Sequence, residues 1–318
     1  MLAVSANHES VSIGERFSIS FQRTLRIPDD GRDYPLPPGL GTFPVHRVQD
    51  YASRVPIAWE EHGGVFIPMY QCEALWLAFD AAHWKPNAVK IGIGRINAIS
   101  GDAWDNELND SPQDYIVCPD QPWLDGINAG DGLVRQFVAM PLGMGYTVEG
   151  QLTGREEFGG IQILVFEPKP GRFPDQPPPE SEISFAPEVP QPEQLGLGAG
   201  GKMRQKIYPD LYGIDTWDSE NYGGVFVHIV NSMQYKELTD LEPPSTPVSA
   251  QTYTLYGLPW FDLYDEDEGD VAASKKLAEI KTIREMRAPK GGDSGEVDTS
   301  IDIDQSQIRE LHKRTRDV

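Results

Sequence analysis

Tryptophan and aspartate recur as neighbours in this chain, and that pairing has chemical uses. Pro122-Trp123-Leu124-Asp125 is echoed by Pro259-Trp260-Phe261-Asp262, and Trp104-Asp105 and Trp217-Asp218 repeat the juxtaposition. An indole face stacks on sugar rings and attracts cations, while a carboxylate beside it accepts hydrogen bonds from the same ligand. The loops from Asp120 to Asp131 concentrate such residues, so Trp123, Asp125, Asp120, Trp260 and Asp262 are the predicted ligand-binding set. The competing arrangement is an indole buried next to a turn-forming aspartate, with no ligand involved.

Carboxylates also do acid and base work when their surroundings drive their pKa values apart. Asp125 and Glu149 are the candidate catalytic pair, with Arg135 as an anion clamp or as their tether. In that reading the substrate is small and neutral or cationic. Structural self-association through an exposed sheet edge or the tail helix is a third possibility.

Other templates fail on inspection. Gly196-Leu-Gly-Ala-Gly-Gly-Lys202 has phosphate-loop spacing, but Met203 stands where a magnesium-binding hydroxyl belongs and a proline-rich stretch precedes the glycines in place of a strand. A flexible glycine hinge is the expectation there. Gly92-Ile93-Gly94 begins a dinucleotide fingerprint that Asn97 does not complete. The acidic run Asp262 to Asp270 puts Gly269 and Lys276 where a calcium loop needs oxygen ligands. The six histidines have no metal-ligand spacing, and no Gly-x-Ser-x-Gly elbow occurs. No cofactor and no metal are therefore predicted.

The run Gln121-Pro122-Trp123-Leu124-Asp125-Gly126, the segment Val134 to Gly143, Gly145 to Glu149 and Gln151 to Gly154 resemble a family of uncharacterised soluble proteins, as does Gly257-Leu258-Pro259-Trp260-Phe261-Asp262. The resemblance spans most of the chain between Pro68 and the acidic run. It implies no activity, fold or site residues.

The elements that must position these side chains are read from periodicity. Between Val11 and Ile27 the apolar residues Ile13, Phe17, Ile19, Phe21, Leu25 and Ile27 occupy odd positions, as in a strand with one buried face. Further strands are predicted over Val65 to Phe79 with a break near Pro68, Val89 to Ile99, Val134 to Met140, Tyr146 to Leu152, Ile161 to Phe166 and Val225 to Val230. Three apolar strands follow a glycine pair, at Gly63-Gly64, Gly159-Gly160 and Gly223-Gly224, which reads as tight turns or a faint internal repeat. One amphipathic helix is predicted from Asp270 to Arg287, carrying Leu277, Ile280 and Ile283, and a short helix from Gln305 to Arg316.

The predicted fold is mainly β, an antiparallel sandwich or distorted barrel with long loops and one late helix, with α+β as the alternative. Its parts are a main β domain over 10–168, a proline-rich linker over 169–193, a smaller β segment plus helix over 194–287 packed on the main domain, and an acidic tail over 288–318. With 27 basic and 49 acidic residues the net charge is −22, which repels nucleic acid and anionic membrane surfaces. Cys72 and Cys118 are too few to staple a chain of this size and lack the close spacing of metal sites, and no long apolar run is present, so a cytoplasmic setting is expected. The partner is an unidentified protein or small molecule.

Overall fold

A computed structural model describes residues 1–176, 195–263, 269–272, 274–287 and 299–311. Seventeen strands among these residues join in one hydrogen-bonded sheet, mostly antiparallel and not closed into a barrel. The helices are few and short, so the chain is mainly β.

The alternation in the first strands works as the sequence requires. Ser10–Ile13 and Phe17–Thr24 form a hairpin that buries Val11, Ile13, Phe17, Ile19 and Phe21 on one face. Phe17–Thr24 then pairs along its whole length with Ala74–Ala81, from Phe17 opposite Ala81 to Thr24 opposite Ala74. The expected break near Pro68 lies slightly later, after Met69, because Val65–Met69 runs straight through the proline. On one side that strand lies parallel to Trp217–Asn231. On the other, His46–Arg47 reaches only Phe66 and Val65, so Pro68 interrupts no ladder there.

Val89 to Ile99 is a hairpin instead of one strand: Gly94 and Arg95 both take positive φ, as a two-residue loop requires, and Asn87–Ile93 turns back into Ile96–Asn97. Ile161–Pro168 is buried throughout, held between Asn87–Ile93 and Trp217–Asn231. Two of the glycine pairs are turns that converge on the same place. Val65 and Ile161 flank Val227 from opposite sides, and a Cβ on Gly64 or Gly160 would lie 2.1 Å from the Phe226 carbonyl oxygen or 2.4 Å from that of Val227. Gly223-Gly224 is different, lying within the Trp217–Asn231 strand itself.

Four expectations are corrected. Gly196 to Met203 is not a hinge: it lies in the strand Leu195–Arg204, paired with Leu133–Pro141. Its glycines are needed because neighbours press close, with Val138 and Gln136 against Gly200 and the Pro28 carbonyl against Gly201. Tyr146 to Leu152 is not a strand, since Thr147 caps the helix Val148–Thr153 by accepting a hydrogen bond from the Gly150 N–H.

The late helix is two helices, Lys275–Ala278 and Ile283–Arg287. Thr282 starts the second with a reciprocal cap, its hydroxyl accepting from the Glu285 N–H while the Glu285 carboxylate accepts from the Thr282 N–H. Leu277, Ile280 and Ile283 are buried nonetheless. Near the end, Gln305–Gln307 is a short 3-10 turn and Ile308–Leu311 is a strand parallel to Trp260–Leu263, where a helix was expected. The calcium reading of Asp265 to Glu268 and most of the proline-rich segment lie outside the described residues.

One continuous core runs from Val11 to Ile301 and draws on residues before and after that segment. No helix among the described residues is long and apolar enough to cross a membrane.

Candidate functional site

Strand pairing decides which side chains share a face. Trp123–Leu124 pairs antiparallel with Ala74–Ala81, placing Trp123 opposite Ala78 and Leu124 opposite Leu77. Directly opposed residues lie on one face, and so do residues two apart along a strand. Leu124, Leu77 and Leu75 therefore turn to the core, while Trp123, Asp125 and Trp76 share the opposite face. Two further segments close over that face. Leu36 bridges to Phe261 through both backbone hydrogen bonds, at 2.7 and 3.0 Å, and Leu311 arrives on the strand beside Phe261.

The result is a cleft of about 250 Å³ lined by Leu36, Pro37, Pro38, Gly39, Trp76, Trp123, Asp125, Phe261 and Leu311. Asp125 is the one ionisable side chain among the described residues that line it. The Trp123 indole N–H donates to Asp125 Oδ2 at 2.7 Å, and no other hydrogen bond reaches that carboxyl from the described residues. Burial pushes the Asp125 pKa up to about 7, and the indole N–H only partly offsets it.

The backbone around the pair is fixed. Buried Gln205 accepts from the Asp125 N–H at 2.9 Å and donates to the Trp123 carbonyl at 3.2 Å, and Gln121 donates to the same carbonyl at 3.1 Å. Gly126 follows because a Cβ there would sit 1.9 Å from the Arg135 carbonyl oxygen. The two groups facing the cleft are thus set on a rigid strand, as ligand orientation requires.

The other predicted residues are elsewhere. Trp260 is fully buried, its indole donating to Thr254 Oγ1 at 3.2 Å, and its neighbour Phe261 takes the place in the cleft wall. Asp262 pairs with Arg204 at 3.2 Å, and Asp120 sits in the turn before Gln121, outside the lining. Trp217 is likewise buried, bonded to Asp210 at 2.9 Å.

Glu149, in the first turn of its helix, accepts the backbone N–H groups of Glu157, Phe158 and Gly159 at 2.9, 3.0 and 2.8 Å. It fastens a loop. Arg135 donates to the Ile280 carbonyl and so ties the sheet to the late helical segment. Among the described residues no hydrogen bond or ion pair joins Asp125, Glu149 and Arg135, and neither Glu149 nor Arg135 lines the cleft that holds Asp125.

A smaller hollow of about 140 Å³ is bordered by Arg26, Cys72 and Glu73. Glu73 there is an ion-pair partner, accepting from Arg23 Nε at 2.7 Å. Cys72 and Cys118 are both free thiols. No group of three metal-ligating side chains occurs among the described residues.

Trp76, the prolines and Leu311 were not legible as site residues. Trp76 had a signal: it occupies the polar phase of a strand otherwise alternating Leu75, Leu77 and Phe79. Comparison of the chain with protein-family models, curated proteins and solved structures found no match.

Proposed function

We propose that this protein binds a small neutral or cationic molecule in the cleft formed by Trp76, Trp123, Phe261 and Asp125. The carrying observation is the convergence of three aromatic side chains and one buried carboxyl on a single concavity of about 250 Å³. Concave, mostly apolar sites with a few fixed polar groups are where small ligands bind, and a carboxyl with a displaced pKa marks them further. Binding draws on stacking over the indoles, and Asp125 sets orientation.

The enzyme reading has less support. Its proposed partner Glu149 is occupied by three backbone donors, and Arg135 is held by Ile280.

Tryptophan fluorescence tests the proposal. Screening small neutral and cationic ring compounds, a true ligand changes the emission of the wild type, and Trp76→Phe and Trp123→Phe each remove most of that change. Trp260→Phe leaves it intact. A ligand whose signal survives both cleft substitutions binds elsewhere and defeats the proposal.

A further inference from the structure

Every other buried carboxylate among the described residues has a partner. Glu73 has Arg23, Glu167 has Arg16, and Asp114 has Lys90 at 2.8 Å. Asp29 accepts from the Arg284 N–H at 3.1 Å, and Glu149 holds its three backbone donors. Among the described residues Asp125 has only the Trp123 indole, which donates to one of its oxygens. Among the described residues that line its cleft there is no lysine, arginine or histidine. A buried carboxyl without a countercharge is costly in its ionised form, and a cation brought beside it removes that cost.

The rest of the wall suits the same visitor. Indole and phenyl faces attract ammonium groups through their quadrupoles, and a cation held among them is shielded from water. Leu36, Pro37, Pro38 and Leu311 add apolar surface for a hydrophobic body and offer no side-chain hydrogen bonds to the hydroxyls of a sugar. The net charge of −22 raises the local concentration of cations and lowers that of anions.

We infer that the ligand is a protonated amine carried on a flat apolar body, its nitrogen against the Asp125 carboxyl and its body between Trp76, Trp123 and Phe261. This rests on the cleft being a binding site. With the carboxyl balanced near neutral pH, amine binding draws it into the ionised form and releases a proton to solvent.

Calorimetric titration of the full chain with three probes tests this: 2-phenylethylamine, its uncharged counterpart 2-phenylethanol, and phenyl β-glucoside. The amine is expected to bind roughly tenfold or more tightly than the alcohol, a margin typical of one charge-assisted contact. That margin widens from pH 6 to pH 8 in the wild type, and buffers of different ionisation enthalpy reveal the released proton. Asp125→Asn, with its fold checked by circular dichroism, loses the margin.

Equal binding of amine and alcohol, or a margin that persists in Asp125→Asn, overturns the amine assignment. The wild-type pH dependence decides the matter if that variant does not fold, because a margin flat from pH 6 to pH 8 is equally fatal. Binding of the alcohol or the glucoside alone overturns the amine class while the cleft survives as a site for neutral ligands. Silence from all three removes the amine, and retention of that silence across the wider fluorescence screen removes the cleft as well.

Discussion

Asp125 and Glu149 are carboxylates with nearly the same exposure, 4% and 3%, yet they have opposite employment. Glu149 is surrounded by the N–H groups of residues 157, 158 and 159, whereas Asp125 receives one indole N–H at the edge of an open cleft. Depth of burial therefore says little about purpose. What separates the two is how many donors the fold itself supplies: a fully supplied carboxylate is part of the scaffold, and an undersupplied one keeps capacity for something that arrives later.

The strongest way to break this comparison is Glu149→Ala. It strands three backbone N–H groups in a part-buried loop, so a loss of about 5 kcal/mol is expected in denaturant unfolding, at about 1–3 kcal/mol for each unpaired donor. A loss under about 1 kcal/mol would place Glu149 with Asp125 and not with the scaffold.

Asp125→Asn comes next, and its effect depends on pH. The folded pKa near 7 exceeds the ordinary aspartate value near 3.9, so between these limits the unfolded chain sheds a proton that the folded chain retains. Relative to the variant, the wild type is most stable below about pH 4 and loses about 1.4 kcal/mol per pH unit until about pH 7, where the difference levels off. Parallel denaturation series at pH 5, 6, 7 and 8 check this. His46 and His228, whose pKa values burial lowers to about 4 and about 3, act in the opposite sense, withdrawing stability as pH falls below about 6.5. They are common to both proteins and cancel from the comparison. A difference that does not vary with pH would show Asp125 to be as well supplied as Glu149.

Trp123→Phe is the finest probe. It removes the one donor to the Asp125 carboxyl among the described residues, and the carboxyl pKa should climb by about one further unit, read by carbon NMR of the labelled side chain. An unmoved titration would mean that the indole has no hold on the charge.

How much of this was legible follows from distance along the chain. Trp123 and Asp125 were found together because the Trp–Asp pairing lies within three residues of sequence, but the segment was read as a loop, whereas Trp123–Leu124 and Gly126–Gly130 are strands and residues two apart there share a face. Trp260 was misjudged because it was read as an echo of Trp123, while in its own strand Trp260 turns to the core and Phe261 to the cleft. Phe261 and Leu311 meet Trp76 only through pairings that span most of the sequence, and no local pattern announces these.

The Tyr146 to Leu152 strand was inferred from period two alone. Thr147 as a cap and Gly154 in a left-handed stop, φ 75°, were the better local signals. Likewise Thr282 with Glu285 three residues on was a readable start signal that divides the late helix. In Leu195–Arg204 glycine suggested looseness, yet Leu195, Leu197, Ala199 and Met203 are all core residues of a paired strand. Glycine there marks crowding.

That same ladder bears on how the two ends of the molecule are held to each other. Leu195–Arg204 is stitched to Leu133–Pro141, and Trp217–Asn231 to Ile161–Pro168 and Val65–Met69, so the amino- and carboxy-terminal portions are knitted by backbone hydrogen bonds on several fronts. A protease cut between residues 177 and 194 would sever the covalent thread and leave a nicked protein whose fragments co-migrate until a denaturant parts them.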